Sequence, residues 1–462
     1  MTTPTRPATS QRWSSRLSFV LAATAAAVGL GNIWKFPYIM GENGGGAFVL
    51  VYLLCIFALG IPVLIGELLI GRRGRNSPGY AARKLAVESG RHWAWQLTGW
   101  ATMLAGFLIL TFYVVIASWA FSYVLKSAQG TFDSPSAKLV NDVYEQMTAS
   151  AGEMLLFTAL LIIATAVIVG KGFKHGLERT VKWLMPLLLL LLIGIAIYSA
   201  NVGDLGAALN FIFKPDFSQL TVNSVLIALG HAFFTLSLAS GVMIMYGAYL
   251  PKETSIVSTS IWIAVADTLV AIIAGLAIFP LVFGYGLTPG EGPGLIFQTL
   301  PLAFATMPGG IVVGTVFFIM LLLAAFTSAI SMIESIAAFV VERFAVTRWQ
   351  AAAGSCVILF TFSLMTIYSF AGAGWAQVDW AFMGKETPTL FHVIDHLTSN
   401  IMLPLGGLAV ALFTGWAIES RYMREELNTS TRVFRLWRFA VRYVAPVAIT
   451  LVFLQLIGVL TF

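Results

Sequence analysis

Charge is scarce in this chain: only 10% of its 462 residues are Asp, Glu, Lys or Arg, against roughly 25% in a soluble domain. A water-facing surface cannot be covered at that density. Cysteine is nearly absent too. Cys55 and Cys356 are the two examples, both inside apolar runs, so neither a disulfide framework nor a thiolate metal site is indicated and packing is their expected role. No loop is long enough to fold as a separate soluble domain, the largest being a short, mildly acidic one at about 126–152. There is no phosphate-cradling loop for ATP, and no nucleophile, base and orienting group cluster, which argues against an enzyme. What is abundant is apolar: 58% hydrophobic residues and a mean hydropathy of +0.86 describe a polytopic membrane protein.

Apolar stretches long enough to cross a bilayer, about 20 residues each, fall near 16–39, 45–70, 96–125, 153–170, 177–200, 223–249, 256–284, 310–341, 351–371, 397–418 and 443–461. The prediction is therefore an all-α membrane protein of eleven transmembrane helices forming one transmembrane domain over 1–462. The first fifteen residues are polar and the first apolar run is too long and too glycine-broken for a signal sequence, so no cleaved peptide is expected. With the N-terminus cytoplasmic and eleven crossings, the C-terminus lies outside. This orientation leaves 22 of the 27 lysines and arginines inside, as the positive-inside rule requires. Only Lys35, Lys126, Lys138, Lys214 and Lys385 fall outside. The net charge of +6 is thus topological, and nucleic-acid binding loses its support. The stretch 286–309 is punctuated by Pro and Gly and is expected as a short re-entrant hairpin on the outer side.

Segment one, LAATAAAVGLGNIWKFPYIMGENGGGAF over Leu21–Phe48, is interrupted by Gly29, Gly31, Asn32, Lys35 and Pro37. An unpaired amide in hydrocarbon costs on the order of several kcal/mol, so irregular backbone at this depth must be buried in protein or line a cavity. A broken helix brings two ends together. One offers N–H groups to an anion and the other offers carbonyls to a cation, a combination suited to a zwitterion plus a metal ion. Segment six repeats the logic, with Thr235, Ser237, Ser240 and Gly241 in mid-membrane. Two broken helices five segments apart imply a 5+5 inverted repeat, about 14–201 and 223–420, with discontinuous helices 1 and 6 and one extra C-terminal helix at about 434–461.

Polar residues inside the other segments have ordinary readings as well as functional ones. A lone membrane amide such as Asn32 often serves as interhelical glue. Asp267 in segment seven is harder to dismiss, because a buried carboxylate costs roughly 2.5–3.5 kcal/mol on insertion scales and usually faces a cavity, a cation or a proton path. The adjacent hydroxyls Thr327 and Ser328 on segment eight, taken alone, are commonly satisfied by bonding back to the preceding turn. Tyr113 lies deep in segment three, where its hydroxyl needs a partner.

The Leu21–Phe48 run closely resembles the first transmembrane helix of the neurotransmitter:sodium symporter family, in particular its bacterial amino-acid transporters of the leucine-transporter type. The resemblance extends over nearly the whole chain. It implies a first sodium site from the Ala27 carbonyl, Asn32, Thr235 and Asp267, and a second from the carbonyls of Ala25, Val28 and Ala324 with Thr327 and Ser328. It implies that Tyr113 and the N–H groups of Leu30 and Gly31 hold a substrate carboxylate. Gly29 stands where amine-transporting members carry Asp, which points to a substrate bringing its own carboxylate. Thr235 and Ser237 border the same site, and Ile109, Phe234, Ser240 and Met332 form the side-chain pocket. Ser240 replaces a phenylalanine of the family's leucine transporter, favouring bulky or aromatic amino acids. Several members with Asn at the Asp267 position recruit chloride through a serine one turn on; here that position is Ala271, so chloride is not expected to be required.

The family pattern further implies an outer gate of Lys35 with Asp395, near His231, and an inner gate of Arg12, Trp13 and Glu342. Lys35 stands where the family has Arg, and the arginine expected three residues before Trp13 is Ser10. Gly176 and Pro186 reproduce a Gly-X9-Pro spacing used to unwind the inner end of segment five. The reading is a sodium-coupled symporter, with two sodium ions, importing amino acids across a bacterial-type inner or plasma membrane by alternating access. The alternatives are symport of a betaine or another osmolyte, or a channel or substrate sensor on the same scaffold. The gate pair opposes a channel, and the absence of an appended signalling domain opposes a sensor.

Overall fold

The computed structural model describes residues 11–134, 136–287, 294–378, 388–456 and 459–460. Among these the chain is helical, and its extended pairing is limited to the isolated bridges Gly45–Pro215 and Gln377–Thr389. We number the membrane segments α1 to α11. Segment α1 consists of α1a, Arg16–Ala27, and α1b, Gly31–Glu42, bent by 55° at the break. Then follow α2 Gly46–Gly74, α3 Trp93–Ala128, α4 Ala151–Gly170 and α5 Phe173–Val202. Segment α6 is two short helices, α6a Val222–Thr235 and α6b Val242–Ala248. The remainder are α7 Ile256–Gly284, α8 Gly310–Phe344, α9 Arg348–Phe370, α10 Leu390–Ala417 and α11 Thr431–Gln455.

Helix starts follow capping chemistry. The Ser15 hydroxyl accepts the N–H of Ser18 to open α1a, and Thr347 with Gln350 forms a capping box at α9. Burial sorts the helices into layers. The most apolar windows of α3 and α2 are 78% and 67% buried, whereas those of α5 and α11 are each only 28% buried. Helices α2 and α3 therefore belong to the inner layer, and α5 and α11 present apolar faces to lipid. Around the broken pair, α1a packs on α7, α8 and α5, while α6b lies along α2. That last contact is very close: a Cβ on Gly71 would sit 1.8 Å from the carbonyl oxygen of Ile244, so only glycine fits. Small residues at such crossings are the usual means of backbone approach between membrane helices.

Several boundaries differ from the sequence expectation. Segment α10 begins at Leu390 rather than near 397, and α11 at Thr431, close to the helix start expected near 434 but well before the apolar stretch at 443–461. The early start of α11 is an amphipathic turn: Arg432, Arg435 and Arg438 are spaced around Phe434 and Trp437, which are buried, so hydropathy alone missed it. In the stretch expected as a re-entrant hairpin, 288–293 lie outside the described residues. The rest is a short helix, Leu295–Thr306, whose Phe297 packs on Trp119, Tyr123 and Phe318. Lys385 also lies outside the described residues.

The inner end of α5 is not unwound. It is wound as a π turn over Phe173–Glu178 that continues into an α-helix containing Pro186. The turn at Gly172, with φ 82°, redirects the chain so that the helix begins just before Gly176.

Candidate functional site

The two breaks face each other at the centre of the bundle. In α1, Val28 leaves the helix at ψ 108° and the chain restarts as a π turn over Gly31–Lys35. The Gly29 N–H donates to Asn32 Oδ1 at 3.2 Å, and the Leu30 N–H donates to the Tyr113 hydroxyl at 3.3 Å. In α6 the chain turns through positive φ at Ser237, Ala239 and Gly241, at 51°, 56° and 77°. Two of these are not glycine, a conformation that persists only when the surroundings hold it. Ser237 Oγ donates to the Ala26 carbonyl at 2.9 Å, linking the two breaks directly, and Ser240 Oγ donates to the Ser237 carbonyl at 2.6 Å.

One polar cluster centres on Asp267, which is fully buried. Its carboxylate accepts from Asn32 Nδ2 at 2.7 Å, Thr235 Oγ1 at 2.9 Å and, at 3.5 Å, the Tyr52 hydroxyl. Asn32 therefore presents its amide N–H to Asp267 and turns its oxygen to Gly29. A desolvated carboxylate beside two hydroxyl oxygens is a concentrated hard-oxygen centre suited to a monovalent cation.

A second cluster lies on the other side of α1. Ser328 Oγ stands 3.3–3.5 Å from the carbonyl oxygens of Ala25, Ala26, Val28 and Ala324. One hydroxyl proton satisfies one acceptor, so the cluster holds a surplus of lone pairs that a cation fills better than a donor does. Thr327 Oγ1 bonds back to the Ala324 carbonyl at 3.0 Å, the satisfaction that its position in a helix predicts, and its oxygen stays beside the same group.

Between the clusters is a cavity lined by Ala26, Ala27, Gly29, Gly31, Ile109, Tyr113, Phe234, Ser237, Leu238, Ser240, Ser328, Met332 and Leu403. Its free volume is ≈ 20 Å³, room for roughly one water, because the side chains close on it. The missing ring at Ser240 is thus not matched by open space. Of the expected substrate residues, Leu30 and Thr235 do not line the cavity: Leu30 contributes its N–H to Tyr113, and Thr235 is turned to Asp267. A second cavity of ≈ 240 Å³ is bounded by Lys35, Tyr38, Glu42, His231 and Asn400. Phe234 and Leu403 line both and so form the partition between them.

The expected gates are arranged differently. The Lys35 ammonium lies over the Phe234 ring, 4.7 Å from its centroid, and is not paired with Asp395, which accepts from Ser399 one turn on at 3.0 Å. A lysine lacks the two-pronged fork that would hold a carboxylate across a gap, and an aromatic face is its alternative. His231 is buried between Phe36 and Tyr52, with neither ring nitrogen bonded. At the opposite end, Trp13 is buried as expected. Its N–H donates to the Tyr249 carbonyl and its indole to the Tyr246 carbonyl. Arg12 is exposed and no ion pair joins it to Glu342. Glu342 instead accepts the N–H and hydroxyl of Ser77, at 2.9 and 2.5 Å, so its charge is already satisfied.

Tyr52, Leu238, Leu403 and Glu67 were not singled out from sequence. Glu67 is fully buried in α2 and accepts the Ala239 N–H at 2.7 Å, supporting the strained turn of α6. It was detectable by the rule that flagged Asp267, as a carboxylate inside an apolar run.

Known proteins share the sequence family and the fold. A model of the sodium:neurotransmitter symporter family matches residues 10–136 and 137–461. An uncharacterized sodium-dependent transporter of Bacillus subtilis, YhdH, is 36% identical over 455 residues, 98% of each chain. A counterpart in Haemophilus influenzae is 34% identical over 456 residues, 96% of this chain and 98% of its own. The crystal structure of MhsT in complex with L-phenylalanine superimposes with a TM-score of 0.88 at 41% identity, covering 97% of this chain and 100% of that one. The chain belongs to the sodium:neurotransmitter symporter family, and is a multi-pass sodium-dependent transporter.

Proposed function

We propose that this protein imports an amino acid with a bulky apolar or aromatic side chain, coupled to two sodium ions, by alternating access around the paired breaks. The observation that carries this reading is the cavity flanked on one side by the Asp267 cluster and on the other by the Ser328 cluster, with Tyr113 and the break of α1 between them. In this reading the Leu30 and Gly31 N–H groups and the Tyr113 hydroxyl take the substrate carboxylate. Asp267, Asn32, Thr235 and the Ala27 carbonyl hold one ion, and Ser328, Thr327 and the carbonyls of Ala25, Val28 and Ala324 hold the other. A similar chain, MhsT, was crystallised with L-phenylalanine, which supports the choice of substrate class.

Asp267 supplies the negative charge locally and Ala271 offers no hydroxyl, so chloride is not required. The end bearing Trp13 faces the cytoplasm and the C-terminus faces outward. For any amino acid to enter, Phe234, Met332 and Leu403 must move apart, since the closed cavity is too small for one. Phe234, capped by Lys35, is the outer lid.

Equilibrium binding of the twenty amino acids and of betaine to the purified protein, in sodium and again in potassium or choline, tests the proposal. Binding of an aromatic or large aliphatic amino acid only in sodium is expected. Equal binding in potassium would refute sodium coupling, and preference for betaine, glycine or alanine would refute the substrate class.

A further inference from the structure

We propose that Glu178 is the inner-gate carboxylate of this transporter, fastening the N-terminal segment and its Trp13 plug through Ser14. This inference rests on the alternating-access reading above. Glu178 is 4% exposed, at the last position of the π turn that opens α5. One oxygen accepts the Ser14 N–H at 3.0 Å and the Ser14 hydroxyl at 2.5 Å. Lys182, one turn along, approaches the same oxygen at 3.2 Å and donates to Ser14 Oγ at 2.7 Å. The result is a closed three-member knot of carboxylate, hydroxyl and ammonium.

The knot is adjacent to the plug in both sequence and space. Ser14 follows Trp13, whose ring meets Phe173, the first residue of the same π turn, edge to face at 4.6 Å. Six residues of α5 thus present an aromatic partner to the plug and an acceptor to the segment carrying it. The π turn supplies the register, and such turns recur where function needs a side chain re-aimed. Its tight entry depends on Gly176, where a Cβ would lie 1.9 Å from the Ile168 carbonyl oxygen. Because Arg12 is exposed and Glu342 is bound to Ser77, the arginine–carboxylate pair expected at this end does not form. Glu178 occupies the vacant role with charge-assisted hydrogen bonds, which are the stronger kind.

Opening the inner path then requires Ser14 to leave Glu178, after which Trp13 is held only by two bonds to main-chain carbonyls and by ring contacts. Ser331 reports on that event. It lies one layer above the plug, its hydroxyl accepting from Tyr246 at 2.7 Å, and Tyr246 in turn packs on Trp13. The experiment uses the full-length Ser331→Cys protein in inside-out vesicles, in sodium, with a membrane-impermeant maleimide. The parent without the reporter gives the background from the two buried native cysteines.

Glu178→Gln is expected to raise the labelling rate about tenfold, the loss of one charge-assisted bond. Glu178→Asp should return it most of the way, and Glu342→Gln should leave it unchanged. Ser14→Ala, at an exposed position, should raise it in the same direction, and it decides the matter if Glu178→Gln fails to fold. Unchanged labelling in Ser14→Ala, or in a folded Glu178→Gln, overturns the proposal, as does an equal rise in Glu342→Gln. Sodium-dependent amino-acid binding measured on the same preparations separates this outcome from failure of the transporter reading, since a misplaced gate leaves that binding intact.

Discussion

Replacing Gly29 by alanine should damage substrate binding and the second ion cluster together, since its Cβ points into both. That carbon would lie 2.6 Å from the Tyr113 hydroxyl and 2.7 Å from Ser328 Oγ. Ordinary contact begins near 3.4 Å, so each oxygen must retreat by roughly 0.7–0.8 Å. The Leu30 N–H bond to Tyr113 is already 3.3 Å long and does not survive such a shift. A buried donor left unpaired costs about 1–3 kcal/mol, or about 5–150-fold in affinity. Sodium-dependent amino-acid binding by scintillation proximity, with a parallel melting curve, measures the loss. The cause is checked by a double-mutant cycle. If the clash is with the Tyr113 hydroxyl, Tyr113→Phe removes the obstacle, and the double variant should lose about 1 kcal/mol or more less than the two single losses together. Full additivity, or parental binding by Gly29→Ala, would refute the geometry argued for the break.

Asp267→Ala should abolish measurable sodium-driven uptake, because three buried donors lose their acceptor as well as the ion losing its charge, whereas Asp267→Asn should be milder; an EC50 for sodium equal in both variants would contradict this. Thr327→Ala should raise the sodium EC50 by about tenfold, the worth of one lost oxygen contact, with an unchanged melting temperature, since the hydroxyl bonds only within its own helix. Ser240→Phe should shift competition from large toward small amino acids, because a ring added to a cavity of ≈ 20 Å³ takes the space a large side chain would bury at about 25 cal/mol per Å²; an unchanged ranking in competition assays would show that Ser240 does not border the substrate.

The helices and both breaks were legible in sequence because each follows from a local rule. Hydropathy marks spans, and glycine or hydroxyl residues within a span mark irregular backbone. The gates were not legible, for a physical reason. Lys35, Asp395, Arg12 and Glu342 are identifiable as charges at helix ends, but a charge at a helix end has several partners within reach. Lys35 found the Phe234 ring, Asp395 its own Ser399, and Glu342 the buried amide and hydroxyl of Ser77. Partner choice there is decided by angles and side-chain length across elements, which no single-chain spacing encodes. The apolar stretch of α11 starts late for a different reason: Arg432, Arg435, Arg438 and Arg442 lower hydropathy while leaving helix periodicity intact, so hydropathy marks a shorter segment than the helix.

Two of the fully buried carboxylates, Glu67 and Asp267, explain how the protein sustains broken helices at membrane depth. Each break frees backbone or side-chain donors that hydrocarbon cannot satisfy. Glu67 takes the Ala239 N–H of the α6 turn, and Asp267 takes Asn32 from the α1 break together with Thr235 from the end of α6a. Either charge alone would be expensive, at roughly 2.5–3.5 kcal/mol by insertion scales. Set against freed groups worth about 1–3 kcal/mol each when unpaired, the cost at Asp267 is offset by its three donors. Glu67 has one donor, and its second oxygen has no partner among the described residues. The α6 turn is therefore the less completely satisfied of the two, and it lies close to Phe234, the partition between the two cavities that we propose as the outer lid.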